Sequence, residues 1–199
     1  MIKAIFFDSG DVIVKEGFVS GIKEYEKKYN LPEGSLYVSA HDRQYWKEFT
    51  LGNISEEEYL NSILNDYKYI KLNIEDLKEI IYKNFIPNTE LLEFLKTIKK
   101  AFILGVISNH PKEWFRRCIK EFNWDEVFSI YVVSGNIHLR KPDRKMFEYA
   151  IAAAKFSPNE CLYIDNRSDM LEGAAEVGFS TMLYLNNQQI IDKINTFNI

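Results

Sequence analysis

Four short runs of the chain are apolar almost without interruption, and each stops abruptly on polar residues: Lys3–Asp8, Phe102–Ser108, Ile130–Ser134 and Cys161–Asp165. A strand with one face in water alternates apolar and polar side chains, whereas a strand covered on both faces does not. The continuous runs therefore predict a parallel sheet enclosed by helices. A weaker fifth run, Thr181–Leu185, extends it. Helical patterns separate the later runs. Asn88–Lys100 carries Leu91, Leu92, Leu95 and Ile98 in one stripe, and Pro111 opens WFRRCIKEF. Pro142 opens DRKMFEYAIAAAK, and Ser168 or Asp169 opens MLEGAAEVG, closed by Gly178. Strands alternating with helices predict a doubly wound α/β sheet.

One interval breaks this rhythm. About 90 residues separate the first run from the second, where a crossover helix with its loops needs roughly 20 to 30. The excess reads as helical: Phe18–Asn30, Leu36–Thr50, a capping box at Ser55–Glu58 opening EEEYLNSILNDY, and Ile74–Phe85. Residues 1–15 and 86–199 are thus expected to form a core, and residues 16–85 an all-helical cap. The insertion leaves directly after the first strand's loop, as a lid over the strand ends would.

Composition narrows the functional classes. The net charge of -4 gives no footing for broad nucleic-acid binding. No stretch approaches the roughly 18 apolar residues of a membrane span, and the N-terminus lacks a basic-then-apolar signal pattern. Cys118 and Cys161 show no metal or redox spacing and read as reduced thiols of a cytosolic protein. A soluble monomer or homodimer without nucleic-acid or membrane partners is expected.

Open parallel sheets bind ligands outside the carboxyl ends of their strands. The first strand ends there in Asp8 and the second in Ser108-Asn109. The basic stretch His138-Leu139-Arg140-Lys141-Pro142 follows the third, and the fourth ends in Asp165-Asn166, with Asp169 four residues on. A carboxylate on the tip of a buried strand is unfavourable unless a cation joins it. Oxygen-only ligands suit Mg²⁺, which takes one or two carboxylates plus a phosphate oxygen. With Mg²⁺ and Lys141 nearby, Asp8 can stay ionised and attack phosphorus, while the same cations neutralise the phosphoryl oxygens. Ser108 and the amides after it can hold one of those oxygens.

The segments FFDSGDVIV, VISNHP, LRKPD and LYIDNRSDMLEGAAEVGF, in this order and near this spacing, resemble the motifs of the haloacid dehalogenase-like hydrolase superfamily. The resemblance covers essentially the whole chain. It implies a Rossmann-like three-layer α/β/α core with an inserted helical cap, and Mg²⁺-dependent phosphoryl transfer through an aspartyl-phosphate. It implies Asp8 as nucleophile, the Gly10 carbonyl and Asp165 as metal ligands, Asp169 on metal-bound waters or on Lys141, and Ser108 and Lys141 gripping the phosphate.

Position 10 departs from the pattern. Phosphatases of the superfamily usually carry there a second Asp that protonates the leaving oxygen and then activates water; this chain has Gly10, with Asp11 one residue further on. Loss of a general acid lowers rates by roughly 10²–10⁴. Three outcomes are open: a leaving group that needs little help, a substitute acid (water, Asp11 or a cap residue), or a protein that binds phospholigands with little or no turnover. The D-x-G-x-V pattern resembles a sugar-1-phosphate phosphatase branch, which points to a small sugar phosphate, then to a nucleotide or flavin monophosphate. The 2-haloacid dehalogenases also lack the second Asp, but Asp165 beside Asp8 would repel a carboxylate product. Asn109 is a further expected substrate contact. In the cap, the stretch His41-Asp42-Arg43-Gln44-Tyr45-Trp46 offers Arg43 and Trp46 as substrate contacts, although Tyr45 and Trp46 equally fit internal packing. Asp11 fits a loop-capping role better than a catalytic one.

Overall fold

A computed structural model of the chain describes residues 1–40, 43–67 and 69–197. In chain order it contains β1 (Ala4–Phe7), β2 (Val14–Lys15), α1 (Gly17–Lys28), α2 (Ser35–Ala40), α3 (Arg43–Thr50), α4 (Glu56–Leu64), α5 (Ile74–Lys83), β3 (Ile86–Pro87) and α6 (Thr89–Ile98). There follow β4 (Ile103–Ser108), α7 (Lys112–Glu121), β5 (Ile130–Val133), α8 (Ser134–Ile137), α9 (Arg144–Ala154), β6 (Cys161–Asp165), α10 (Ser168–Glu176), β7 (Ser180–Leu183) and α11 (Asn187–Asn195).

The main sheet has the order β5-β4-β1-β6-β7, parallel throughout. Its central strand shows why the apolar runs are continuous. Successive side chains point to opposite faces. Ile5 and Phe7 pack with Leu91, Leu95, Phe115 and Ile190 of α6, α7 and α11, while Ala4 and Phe6 pack with Met146, Phe147 and Ala174 of α9 and α10. All four strand residues are fully buried. Burying each phenylalanine contributes about 1.5–3 kcal/mol. The result is a Rossmann-like three-layer α/β/α fold. Among the described residues no helix is long and apolar enough to cross a membrane.

Between β2 and β3 the chain makes a helical excursion, α1 to α5. It leaves and returns through an antiparallel pair, Val14 opposite Pro87 and Lys15 opposite Ile86. This short ladder was not foreseen, because two residues carry no readable period. The excursion is seated on the core by named contacts. Buried Glu56 of α4 accepts hydrogen bonds from Tyr82 Oη (2.5 Å) and, across to α7, from Trp114 Nε1 (2.7 Å). Ser134 Oγ donates to the Thr50 carbonyl at 2.6 Å. Gly52, at φ 74°, lies where a Cβ would stand 2.3 Å from the Gly135 carbonyl oxygen, so only glycine permits that approach.

Apart from shifts of one or two residues at helix ends, the helices depart from the sequence reading most clearly over Leu36–Thr50, at the start of α9 and in α11. Over Leu36–Thr50 there are two helices, α2 and α3, with residues 41 and 42 outside the described residues. α9 starts at Arg144 rather than at Pro142, because the Asp143 side chain accepts the Lys145 amide and caps it. The amphipathic α11, capped by Asn186 accepting from Gln189 N–H, went unread in the sequence and covers one face of the sheet with Ile190 and Ile194.

Candidate active site

β1 and β6 are neighbours in the sheet, so Asp8 and Asp165 leave their strands side by side, and β4 brings Ser108 to the other flank of β1. A cavity of about 230 Å³ opens over these strand ends, lined by Asp8, Gly10, Glu16, Trp46, Ser108 and Lys141 among others.

Lys141 organises the cavity floor. It is only 6% exposed. Its Nζ donates to Asp8 Oδ1 at 2.6 Å, to Asp165 Oδ2 at 2.8 Å and to Tyr163 Oη at 2.6 Å. The two carboxylates thus share one ammonium. Tyr163 Oη also donates to Asp165 Oδ2. The second oxygen of Asp165 accepts the Arg167 amide at 2.9 Å.

The backbone of Lys141 is fixed as firmly as its ammonium. Asn109 Oδ1 accepts its N–H at 2.7 Å, and Asn109 Nδ2 donates to its carbonyl at 2.9 Å. The Asn109 amide is therefore committed to positioning Lys141. Ser108 Oγ and Ser9 Oγ lie 2.5 Å apart in a hydrogen bond. The Ser9 carbonyl accepts the amides of Val12, Ile13 and Val14, which folds the loop after β1 tightly back on itself. Asp11 sits in that loop at φ 55°, and its Oδ1 accepts the Glu16 amide at 3.2 Å.

Burial pushes the Asp8 carboxyl up to about 6; the Lys141 ammonium opposes this and the Asp165 carboxylate adds to it. Burial and the same two carboxylates drive the Tyr163 phenol well above its ordinary range, so it stays a donor. In metal-free protein the ¹³C carboxyl signal of Asp8 is expected to titrate with a midpoint near 6, and saturating Mg²⁺ should move that midpoint down, since an ion that binds the carboxylate displaces its proton. A midpoint that ignores the ion would show that Asp8 is not a ligand.

The remaining expected residues fall as follows. Asp169 lies in the first turn of α10, held by Arg167 through Nε at 3.1 Å and Nη2 at 2.5 Å; it does not share the cluster on Lys141. Trp46 lines the cavity while stacking on Phe18, ring centroids 5.2 Å apart at 14°, so packing and wall are one role. Arg43 opens α3, and its side chain lies outside the described residues, as do His41 and Asp42. His110 is buried, with Nε2 3.6 Å from Glu16 Oε1. Tyr163, Ser9 and Glu16 were not foreseen. Tyr163 was the readable one, since it precedes Asp165 by two residues and so shares its face of β6.

The donor set at this edge is oxygen throughout: two carboxylates and the main chain of the loop at Gly10. Such a set fits a hard divalent cation of the Mg²⁺ type, which needs few protein ligands and keeps waters. Formal charges agree. Asp8, Asp165 and Lys141 together leave one net negative charge, and a divalent ion reverses it in favour of a phosphoryl dianion.

A family model described as haloacid dehalogenase-like hydrolase matches residues 8–183. The chain is 23% identical over 196 residues to flavin mononucleotide hydrolase 1 of Arabidopsis thaliana, spanning 98% of this chain and 77% of that protein. It is 25% identical over 190 residues to D-ribitol-5-phosphate phosphatase of Bacteroides thetaiotaomicron, 91% of each. Its fold is similar to that of a HAD-family enzyme of Bacteroides thetaiotaomicron, with a TM-score of 0.80 at 17% identity over 92% of this chain and 94% of that one. That enzyme is also known in complex with magnesium and inorganic phosphate, where the TM-score is 0.74 at 16% identity over 93% and 95% of the two chains.

Proposed function

The chain belongs to the haloacid dehalogenase-like hydrolase family, and on that premise we propose that it is a Mg²⁺-dependent phosphatase of small phosphorylated metabolites. The observation that carries this reading is the Lys141 ammonium shared by Asp8 and Asp165 at the carboxyl edge of a parallel sheet. Asp8, Asp165 and the Gly10 carbonyl would hold the ion, with Asp169 acting through its waters. When bound, Mg²⁺ supplies charge neutralisation for the phosphoryl oxygens and keeps Asp8 ionised.

The chain's own residues do the rest. An Asp8 carboxylate oxygen attacks phosphorus, and the bond to the leaving oxygen breaks as the aspartyl-phosphate forms. Lys141 stays in place throughout, held by Asn109 and Tyr163, and its charge meets the negative charge spreading over the phosphoryl group. Ser108 Oγ, fixed by Ser9, and the amides that follow receive a second phosphoryl oxygen. Water then attacks the phosphorus and frees Asp8.

A sugar or polyol phosphate is the preferred substrate class, with flavin or nucleoside monophosphates second. The cavity volume of about 230 Å³ is below the range of roughly 300–1,000 Å³ typical of sites for larger ligands. Trp46 supplies the aromatic wall that sugar rings favour. The Asp165 carboxylate beside Asp8 disfavours 2-haloacid substrates by charge repulsion. A cytosolic monomer or homodimer completes the reading.

Phosphate release tests it over a panel of sugar 1-phosphates, pentitol 5-phosphates, flavin mononucleotide and nucleoside monophosphates. Release should appear with Mg²⁺, vanish in EDTA and return when Mg²⁺ is restored. Chloride release from 2-chloropropionate with no phosphate release from any monoester would overturn it.

A further inference from the structure

Gly10 leaves a space beside the nucleophile, and the structure fills it. A Cβ built on Gly10 would lie 2.8 Å from Glu16 Oε1, 3.2 Å from its Cγ and 3.4 Å from its Cδ. The carboxyl of Glu16 thus occupies the position that a short side chain at residue 10 would take, two residues from Asp8. The first helix of the insertion begins immediately after Glu16, so the helix start fixes where this side chain is launched.

Four carboxylates line the cavity: Asp8, Asp11, Glu16 and Asp165. Asp8 and Asp165 are bound to Lys141. Asp11 is turned into its own loop and accepts the Glu16 amide. Glu16 differs from all three. Its side chain is 32% exposed, and His110 Nε2 stands 3.6 Å from its Oε1, an ion-pair separation longer than a direct hydrogen bond. A carboxyl that lines this cavity beside Gly10, is part-exposed and faces an imidazole rather than the Lys141 ammonium can give and take a proton.

We propose that Glu16 is the general acid and base of the reaction; this rests on the phosphatase reading above. As Asp8 forms its bond to phosphorus, the phosphorus–oxygen bond to the leaving group breaks, and the leaving oxygen takes the Glu16 proton and departs as an alcohol. The Glu16 carboxylate then accepts a proton from a water whose oxygen attacks the phosphorus. The bond from phosphorus to Asp8 breaks, inorganic phosphate leaves, and Glu16 is again protonated. One monoester and one water give one alcohol and one phosphate.

Leaving-group dependence tests the assignment with Mg²⁺ present. Glu16→Gln should lower kcat/KM for an alkyl monoester such as a pentitol 5-phosphate by about 10²–10⁴. For 4-nitrophenyl phosphate, whose phenolate departs unprotonated, kcat/KM should change far less. Its kcat should nevertheless fall, with a pre-steady-state burst of nitrophenolate, because the aspartyl-phosphate now waits for unassisted water. Gly10→Asp combined with Glu16→Ala should recover alkyl-ester turnover relative to Glu16→Ala alone, since removing the glutamate opens the space that the aspartate needs. Equal losses on both substrates, or no loss, in Glu16→Gln would overturn the role while leaving an Asp8-dependent phosphatase standing. A wild-type protein inert to every monoester would remove the phosphatase reading and this assignment together.

Discussion

Asp8→Asn is expected to eliminate turnover: phosphate release should fall by about 10⁴-fold or more, the scale on which removal of a covalent nucleophile acts. The amide keeps the side chain's shape but cannot form the aspartyl-phosphate. Misfolding would give the same kinetic result, so stability is the second measurement, and it should move the other way. The Asp8 carboxyl titrates at about 6 in the folded chain against 3.8 for an ordinary aspartate. The folded state therefore holds that proton more tightly than the unfolded chain does. The protonated group favours folding, and its ionisation erodes stability as pH rises from 3.8 through 6. Asparagine is neutral throughout. In EDTA at neutral pH the variant should unfold at the same or higher denaturant concentration than wild type. Activity near the wild-type level would refute Asp8 as the nucleophile.

Lys141→Met should damage both function and fold. The side chain is nearly the same length, so packing is largely kept, but Asp8 and Asp165 lose their common cation. Removing one partner from a buried ion cluster destabilises by about 3–5 kcal/mol, because the charges left behind stay desolvated and unpaired. Turnover should fall by at least the 10²–10³ typical of losing one preorganised charge contact. Mg²⁺ distinguishes this cause from simple mispacking. Denaturant curves in EDTA should show the full loss, and Mg²⁺ should restore a larger share of stability to the variant than it adds to wild type. An equal shift in both proteins would mean that the ion does not answer the same two carboxylates.

The skeleton of this site was written plainly in the sequence. Asp8, Ser108 and Asp165 each end a continuous apolar run, and a parallel sheet gathers such ends on one edge without further instruction. Lys141 was harder, since a basic stretch before proline ordinarily faces solvent; here the Asn109 amide, just past β4, grips its backbone with two hydrogen bonds. That partnership spans 32 residues and has no local signature. Tyr163 was legible only through its spacing, two residues before Asp165 on the same strand face, since a phenol within a strand otherwise reads as core material. Glu16 was hidden for a different reason: its importance comes from the missing side chain of Gly10, and an empty space acquires a neighbour only in three dimensions. Trp46 was read as packing or as a substrate contact; it stacks on Phe18 and also lines the cavity, which leaves the packing reading in place and the other open to test.

The two-residue ladder of β2 and β3 has a consequence for how such proteins diversify. Its rungs set the beginning and the end of the helical excursion next to each other. The stretch between them can change in length while the path of the sheet stays unaltered, as long as the contacts that seat Thr50, Gly52 and Glu56 on the core are kept. The stretch that the rungs bracket carries Trp46 to the cavity wall and, at its very first residue, Glu16 to the side of Gly10, so a single narrow seam delivers both to the strand ends.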